Sequence, residues 1–290
     1  MASALIISII TAAVLVGVLA WLLLWLMLRV ASALRFKGAF PDGVQNAPGG
    51  IARCELRRLE RELAVLTAAA SAAIGAASLL LLYGAARFTG LWLWLLFGIA
   101  CALALAWIIF LVRLLMRWRE ARFAARAQAA FAASLSRLNL QGSRVFHDVV
   151  LGELVLDHVV LGLRGLFAIR VVTRRPKRGV ETVVRINGRS IEFQDGHALL
   201  DMLSLTERAA RALADLQVKG LSHRPHVLPV VAIPGWEIAP AQGAAGETFL
   251  ANEKTAMLLT RASKPADHLM EADVALLQEQ LTKLSIDSVL

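Results

Sequence analysis

The chain has 290 residues, of which 58% are hydrophobic, with a mean hydropathy of +0.62 and a formal net charge of +9. That is too apolar on average for an ordinary soluble domain. Its two cysteines, Cys54 and Cys101, are far apart and exclude a disulfide framework or a cysteine metal site. Most of the positive excess lies in residues 1–126 and flanks apolar runs, which points to anionic lipid headgroups before nucleic acid.

Residues 2–28, 63–86 and 88–112 carry no charge. A hydrocarbon core of ~30 Å needs ~20 residues of helix, so each run predicts a transmembrane span, near 4–28, 64–86 and 90–112. Ala31-Ser32-Ala33 resembles a signal-peptide cleavage site, but no basic residue precedes the run and Arg29 interrupts it, so an uncleaved anchor is expected. Arg29, Arg35, Lys37, Arg53, Arg57, Arg58 and Arg61 follow the first run, and Arg113, Arg117, Arg119, Arg122 and Arg126 follow the third. The positive-inside rule then places the N-terminus outside and everything after the third span in the cytoplasm, with the bilayer as partner. No Asp, Glu, Lys, Arg or His sits within the runs, which argues against a transporter or channel.

Leu56, Leu59, Leu63 and Leu66 share one face of a predicted helix over 53–66. A basic, alanine-rich helix over 113–138 places Phe123, Ala127, Phe131 and Leu135 on one side. Residues 127–290 suffice for one domain with its own core.

Within that domain, residues 145–177 read VFHDVVLGELVLDHVVLGLRGLFAIRVVTRRPK. Alternating and continuous apolar residues broken at Gly152 and at Gly162-Leu163-Arg164-Gly165 predict three antiparallel strands. Further on, strands over 180–186 and 190–193 turn at Asn187-Gly188, and a helix spans 197–218. A buried strand is expected over 227–233, a short one near 248–250, and a closing helix over 266–284. The fold class is therefore α/β with a mixed central sheet.

Two residues carry charge in the middle of these strands, Asp157 and Arg170. If Leu163-Arg164 are the two central turn residues, paired numbers sum to about 327 and Asp157 lies opposite Arg170. An ion pair between them is expected to relieve the cost of a buried carboxylate, with Val155 and Val172 packed alongside. His147-Asp148 and Asp157-His158 are neighbours within strands, so each His is expected to face away from its Asp. None of the six histidines shows helical zinc spacing, and no nucleophile elbow or phosphate loop appears. Arg174, Arg175, Lys177 and Arg178 form a basic turn suited to phosphate or lipid, or simply to water.

The segments RVFHDV, LDHVVLGLRGLFAI and TRRPK, followed by PVVAIPGWEI at 229–238, resemble the nuclease-related (NERD) domain in its membrane-anchored bacterial form. The likeness covers about residues 125 to 260, with its two blocks in the family's order. It implies a restriction-endonuclease-like core of the PD-(D/E)xK superfamily, in a bacterial inner-membrane protein, with magnesium as the cofactor of an active relative. Asp157 matches the family's metal-binding aspartate. Arg170 stands where the glutamate of its Glu-x-Lys motif belongs, and Val172 where the lysine belongs. The family's helical glutamate aligns with Gln128, and the glutamine opening its later helix aligns with Leu205. A guanidinium remains protonated and repels a metal cation. The resemblance thus implies a catalytically silent module with no metal or cofactor, binding nucleic acid or another membrane protein; the alternative is a magnesium nuclease with a rearranged site.

Overall fold

The structure is a computed structural model and describes residues 49–87, 91–139, 142–176, 179, 181–221, 223–239, 248–259 and 268–286. Two long helices come first, α1 (Gly50–Arg87) and α2 (Leu91–Asn139). Strands β1 (Arg144–Leu151), β2 (Leu154–Gly162) and β3 (Gly165–Val171) follow as an antiparallel meander. Then come β4 (Val183–Asn187), β5 (Ser190–Phe193), β6 (Ala198–Leu199) and helix α3 (Met202–Ala214). β7 (Val227–Ala232), β8 (Glu237–Ile238), β9 (Phe249–Ala251), a 3-10 turn at Ala256–Leu258 and helix α4 (Glu271–Ile286) complete the order. By internal contacts the described chain forms two compact units, one of residues 56–119 and one of residues 49–55 with 120–286.

The architecture is α/β with mixed sheets, but the expected membrane spans require correction. Among the described residues no helix is long and apolar enough to cross a membrane, which overturns the spans at 64–86 and 90–112. The span at 4–28 lies outside the described residues. The uncharged residues 63–86 are only the latter part of a helix that begins at Gly50 and carries Arg53 to Glu62. The uncharged residues from Leu91 onward, for their part, are only the first half of a helix that continues unbroken through Arg113 to Asn139.

In the second unit the large sheet has the order β1-β2-β3-β7-β9, with β7 parallel to β3 and β9 parallel to β7. β7 is apolar on both faces, as a strand covered on both sides should be: Val230 and Ala232 pack to one side, Val231 and Ile233 to the other. One face of the sheet is covered by Phe131, Leu135 and Leu138 of α2, which meet Val160, Phe167 and Ile169. These are the i, i+4 and i+7 positions of one helical stripe. The other face packs Val149, Leu156, Val159, Leu161, Leu166 and Ala168 against Ala209, Ala210 and Leu213 of α3 and Leu277 and Leu281 of α4. A second sheet, of order β6-β5-β4-β8, closes over Val172, Val231 and Ile233 with Val184, Ile191, Phe193 and Trp236.

Local differences have physical reasons. The β4–β5 turn centres on Gly188-Arg189, one residue later than expected, because Gly188 takes a left-handed φ of 59° that a side chain would resist. α3 begins at Met202 rather than at 197, since Ala198 and Leu199 pair with Glu192 and Ile191 as an added strand.

Candidate functional site

The register between β2 and β3 is the one the turn predicts, with Val159 opposite Ala168 and His158 opposite Ile169. The pairing stops there, one step short of Asp157 and Arg170. The reason lies on the other side of β2. In the β1–β2 hairpin His147 faces His158 and Val149 faces Leu156, which leaves Asp148 and Asp157 at the level between. There Asp148 adopts φ 51°, the only positive φ of a non-glycine residue among those described. Asp is one of the few side chains that tolerates that region.

The kink reverses the alternation of both strands. Leu156 packs in the same cluster as Val159 and Leu161, and Val149 joins the cluster on which Phe146 rests. A regular strand would place residues three apart on opposite faces. Asp157 therefore leaves the face it would otherwise share with Arg170 and turns to other partners.

Its carboxylate accepts two hydrogen bonds: Gln128 Nε2 donates to Oδ1 at 3.0 Å, and the Val171 N–H donates to Oδ2 at 2.7 Å. The expected ion pair needs correction on this point, because both of these bonds come from Gln128 and Val171. Arg170 acts on Asp157 only through its charge. Burial pushes the Asp157 carboxyl up from its ordinary 3.8 to about 6; the Val171 N–H and Arg170 oppose the rise and Asp148 adds to it.

Asp148 is 4% exposed and accepts the Gly50 N–H at 2.7 Å, at the first turn of α1. A carboxylate there meets both an unsatisfied backbone donor and the positive end of the helix dipole. The two glycines opening the helix make the approach possible. A Cβ on Gly50 would stand 3.0 Å from Asp148 Oδ2, and one on Gly49 would stand 2.8 Å from Gln128 Oε1. Gly49 also has φ 72°, a conformation that favours glycine.

Behind this layer His147 and His158 touch, Nδ1 to Nδ1 at 2.8 Å, so one ring donates and the other accepts. His158 is fully buried and stacks on Phe131, with ring centroids 5.9 Å apart. Burial lowers His147 to about 4, helped by the charge of Arg53, and burial followed by His147 holds His158 well below its usual range. Both rings are therefore neutral near pH 7. Asp148, Gly50, Arg53 and this histidine pair escaped the reading by motif.

The remaining expected positions scatter. Val172 is 6% exposed and sits in the apolar cluster with Val184 and Trp236, where a lysine would be cut off from water. Leu205 lies in the first turn of α3, outside that helix's buried set of Leu203, Thr206, Ala209, Ala210 and Leu213. Arg174, expected as a phosphate or lipid contact, is instead engaged within the fold. Its Nη2 meets Asp195 Oδ2 at 2.6 Å, its guanidinium lies over the Phe193 ring at 5.2 Å, and its carbonyl accepts the Trp236 Nε1–H at 2.8 Å. Arg175 is exposed, and Lys177 and Arg178 lie outside the described residues.

Magnesium requires several oxygen ligands in a near-octahedral set, at least some of them carboxylate. Here Asp148 is turned to the helix N-terminus, Gln128 offers an amide, and Arg170 contributes positive charge. Gln128 Oε1, buried without a partner, is one neutral oxygen and does not offset these. The donors do not fit the cation. Comparison of the chain with family models, with curated proteins and with solved structures finds no match.

Proposed function

We propose that residues 127–290 form a catalytically silent nuclease-related domain that works as a binding or scaffold module. The observation that carries this reading is the hydrogen bond from Gln128 to Asp157 at 3.0 Å. These two positions align, by resemblance, with acidic residues of an active relative, and the fold brings them together across 29 residues of sequence. In a relative with glutamate at the first position, two carboxylates would converge and call for a cation. An amide donating to a carboxylate satisfies the pair without one. A mixed sheet covered by helices on both faces, with Val172 in its apolar interior, supports the same reading.

The test is a cleavage assay on the full chain with plasmid DNA and with RNA, in magnesium and in manganese. No hydrolysis above background is expected. Metal-stimulated hydrolysis that vanishes in Asp157→Ala would overturn the proposal and make the domain a nuclease with a rearranged site. Fluorescence anisotropy with a labelled duplex, followed from 50 to 200 mM salt, then asks whether nucleic acid is the partner, because each phosphate contact steepens the salt dependence of binding.

A further inference from the structure

In the unit of residues 56–119, the described residues of α2 include two buried leucines and several exposed large apolar side chains. Leu111 and Leu114 are 9% and 4% exposed. Around them Leu105, Ile108, Ile109, Phe110, Val112 and Met116 are 61%, 51%, 48%, 50%, 43% and 59% exposed. At ~100° per residue the apolar exposed positions sweep an arc of about 200°, twice the stripe of ~100° that a helix presents to a single core. A patch of this kind marks an interaction surface. Its width favours a fluid apolar phase that wraps the helix over one partner helix that covers a stripe.

The charge next to it names the phase. The row Leu105, Ile109, Arg113, Arg117 runs in steps of four along one side of the helix, so apolar turns give way to arginine on the same line. Arg119 follows, and all three arginines are exposed. Guanidinium groups directly beyond an exposed apolar turn suit phosphate headgroups above acyl chains.

We infer that α2 docks onto an anionic lipid bilayer, with Leu105 to Phe110 among the acyl chains and Arg113, Arg117 and Arg119 at the headgroups. This is association from one leaflet and needs no helix to cross. It is independent of the nuclease-related reading, which concerns residues 127–290.

The experiment places a fluorophore in the patch of the full chain. Cys54 and Cys101, both exposed, are changed to serine, and Ile109→Cys takes an environment-sensitive label. Reading the signal at position 109 separates this surface from the uncharged residues 2–28, which bulk flotation would also register. Vesicles are 3:1 phosphatidylcholine to phosphatidylglycerol, carrying nitroxide on the acyl chains, against pure phosphatidylcholine.

The expected result is a blue shift with nitroxide quenching, and binding at least tenfold tighter to the anionic vesicles. Changing Arg113, Arg117 and Arg119 together to glutamine should weaken binding by up to about 100-fold at low salt, roughly fivefold per arginine. The triple change to lysine should restore most of it, with circular dichroism reporting that each variant is folded. A label that stays open to aqueous iodide at saturating vesicle concentration overturns the inference. So does a glutamine variant that binds as well as the parent. A label shielded without vesicles, in proportion to protein concentration, would assign the patch to a second copy of the chain instead.

Discussion

Replacing Asp157 by asparagine should stabilise the protein at neutral pH, although it removes a charged residue from the centre of the site. The carboxylate accepts from Gln128 and Val171, and an asparagine can keep two bonds there. Its oxygen accepts the Val171 N–H, while its Nδ2 donates to Gln128 Oε1, a buried atom without a partner at present, after the glutamine amide turns over. What changes is charge. The carboxyl rises from 3.8 to about 6 on folding, and one pKa unit corresponds to ~1.4 kcal/mol, so ionisation costs the folded state about 3 kcal/mol. The sign follows from proton binding: between those values the folded chain holds the proton more tightly than the unfolded one. Stability from this group is therefore fully present below pH 3.8 and is lost as pH rises through about 6. Asparagine mimics the protonated form at every pH. Urea unfolding followed by tryptophan fluorescence should find Asp157→Asn more stable by up to about 3 kcal/mol at pH 8, with the difference shrinking toward zero near pH 4. A difference that does not vary with pH, or a variant less stable than the parent at pH 8, would refute the account of Asp157 as a desolvated and incompletely compensated carboxylate.

The histidine pair carries the opposite sign, because a lowered base favours the folded state only while it is neutral. His147→Gln should remove one of the protons taken up on unfolding, flattening stability against pH by about 1.4 kcal/mol per pH unit between roughly 6 and 4.5; an unchanged slope in acid titration would count against the pair. Val172→Lys should cost several kcal/mol in thermal unfolding, because the ammonium enters an apolar cluster without a partner, and a melting temperature equal to the parent's would show that the position opens to water. Arg174→Ala removes the guanidinium from Asp195, whose side chain is 0% exposed and would keep the His197 N–H at 3.3 Å, and should cost about 3 kcal/mol in urea unfolding; a loss below about 1 kcal/mol would make the ion pair incidental.

The meander was legible because its signals are local. Gly162 and Gly165 bracket a two-residue turn, and a two-residue turn fixes every pair beyond it, so Val159 opposite Ala168 follows from counting. The long apolar run at β7 gave a strand covered on both faces for the same reason: nothing outside the run is needed to read it. The N-terminal helices are different: their long uncharged runs suggest spans, yet among the described residues no helix is long and apolar enough to cross a membrane.

His147-Asp148 and Asp157-His158 are mirror images about the turn at Gly152-Glu153, so any regular hairpin there sets histidine against histidine and aspartate against aspartate. Two carboxylates opposed in a buried ladder repel, and the hairpin has to resolve that conflict. The structure resolves it by kinking at Asp148, which sends one carboxylate to the Gly50 N–H and leaves the other to Gln128 and Val171. Neither destination is legible from the hairpin itself. Gly50 lies 98 residues from Asp148, and Gln128 lies 29 from Asp157, and no periodicity links them. The local sequence thus poses the electrostatic problem, and the distant chain supplies its solution. Within β2 and β3 alone, Arg170 is the residue placed to be the counter-charge of Asp157. The guanidinium is near enough to lower the carboxyl, but the kink has already turned Asp157 toward neutral donors, which leave it uncharged up to a higher pH than an arginine contact would.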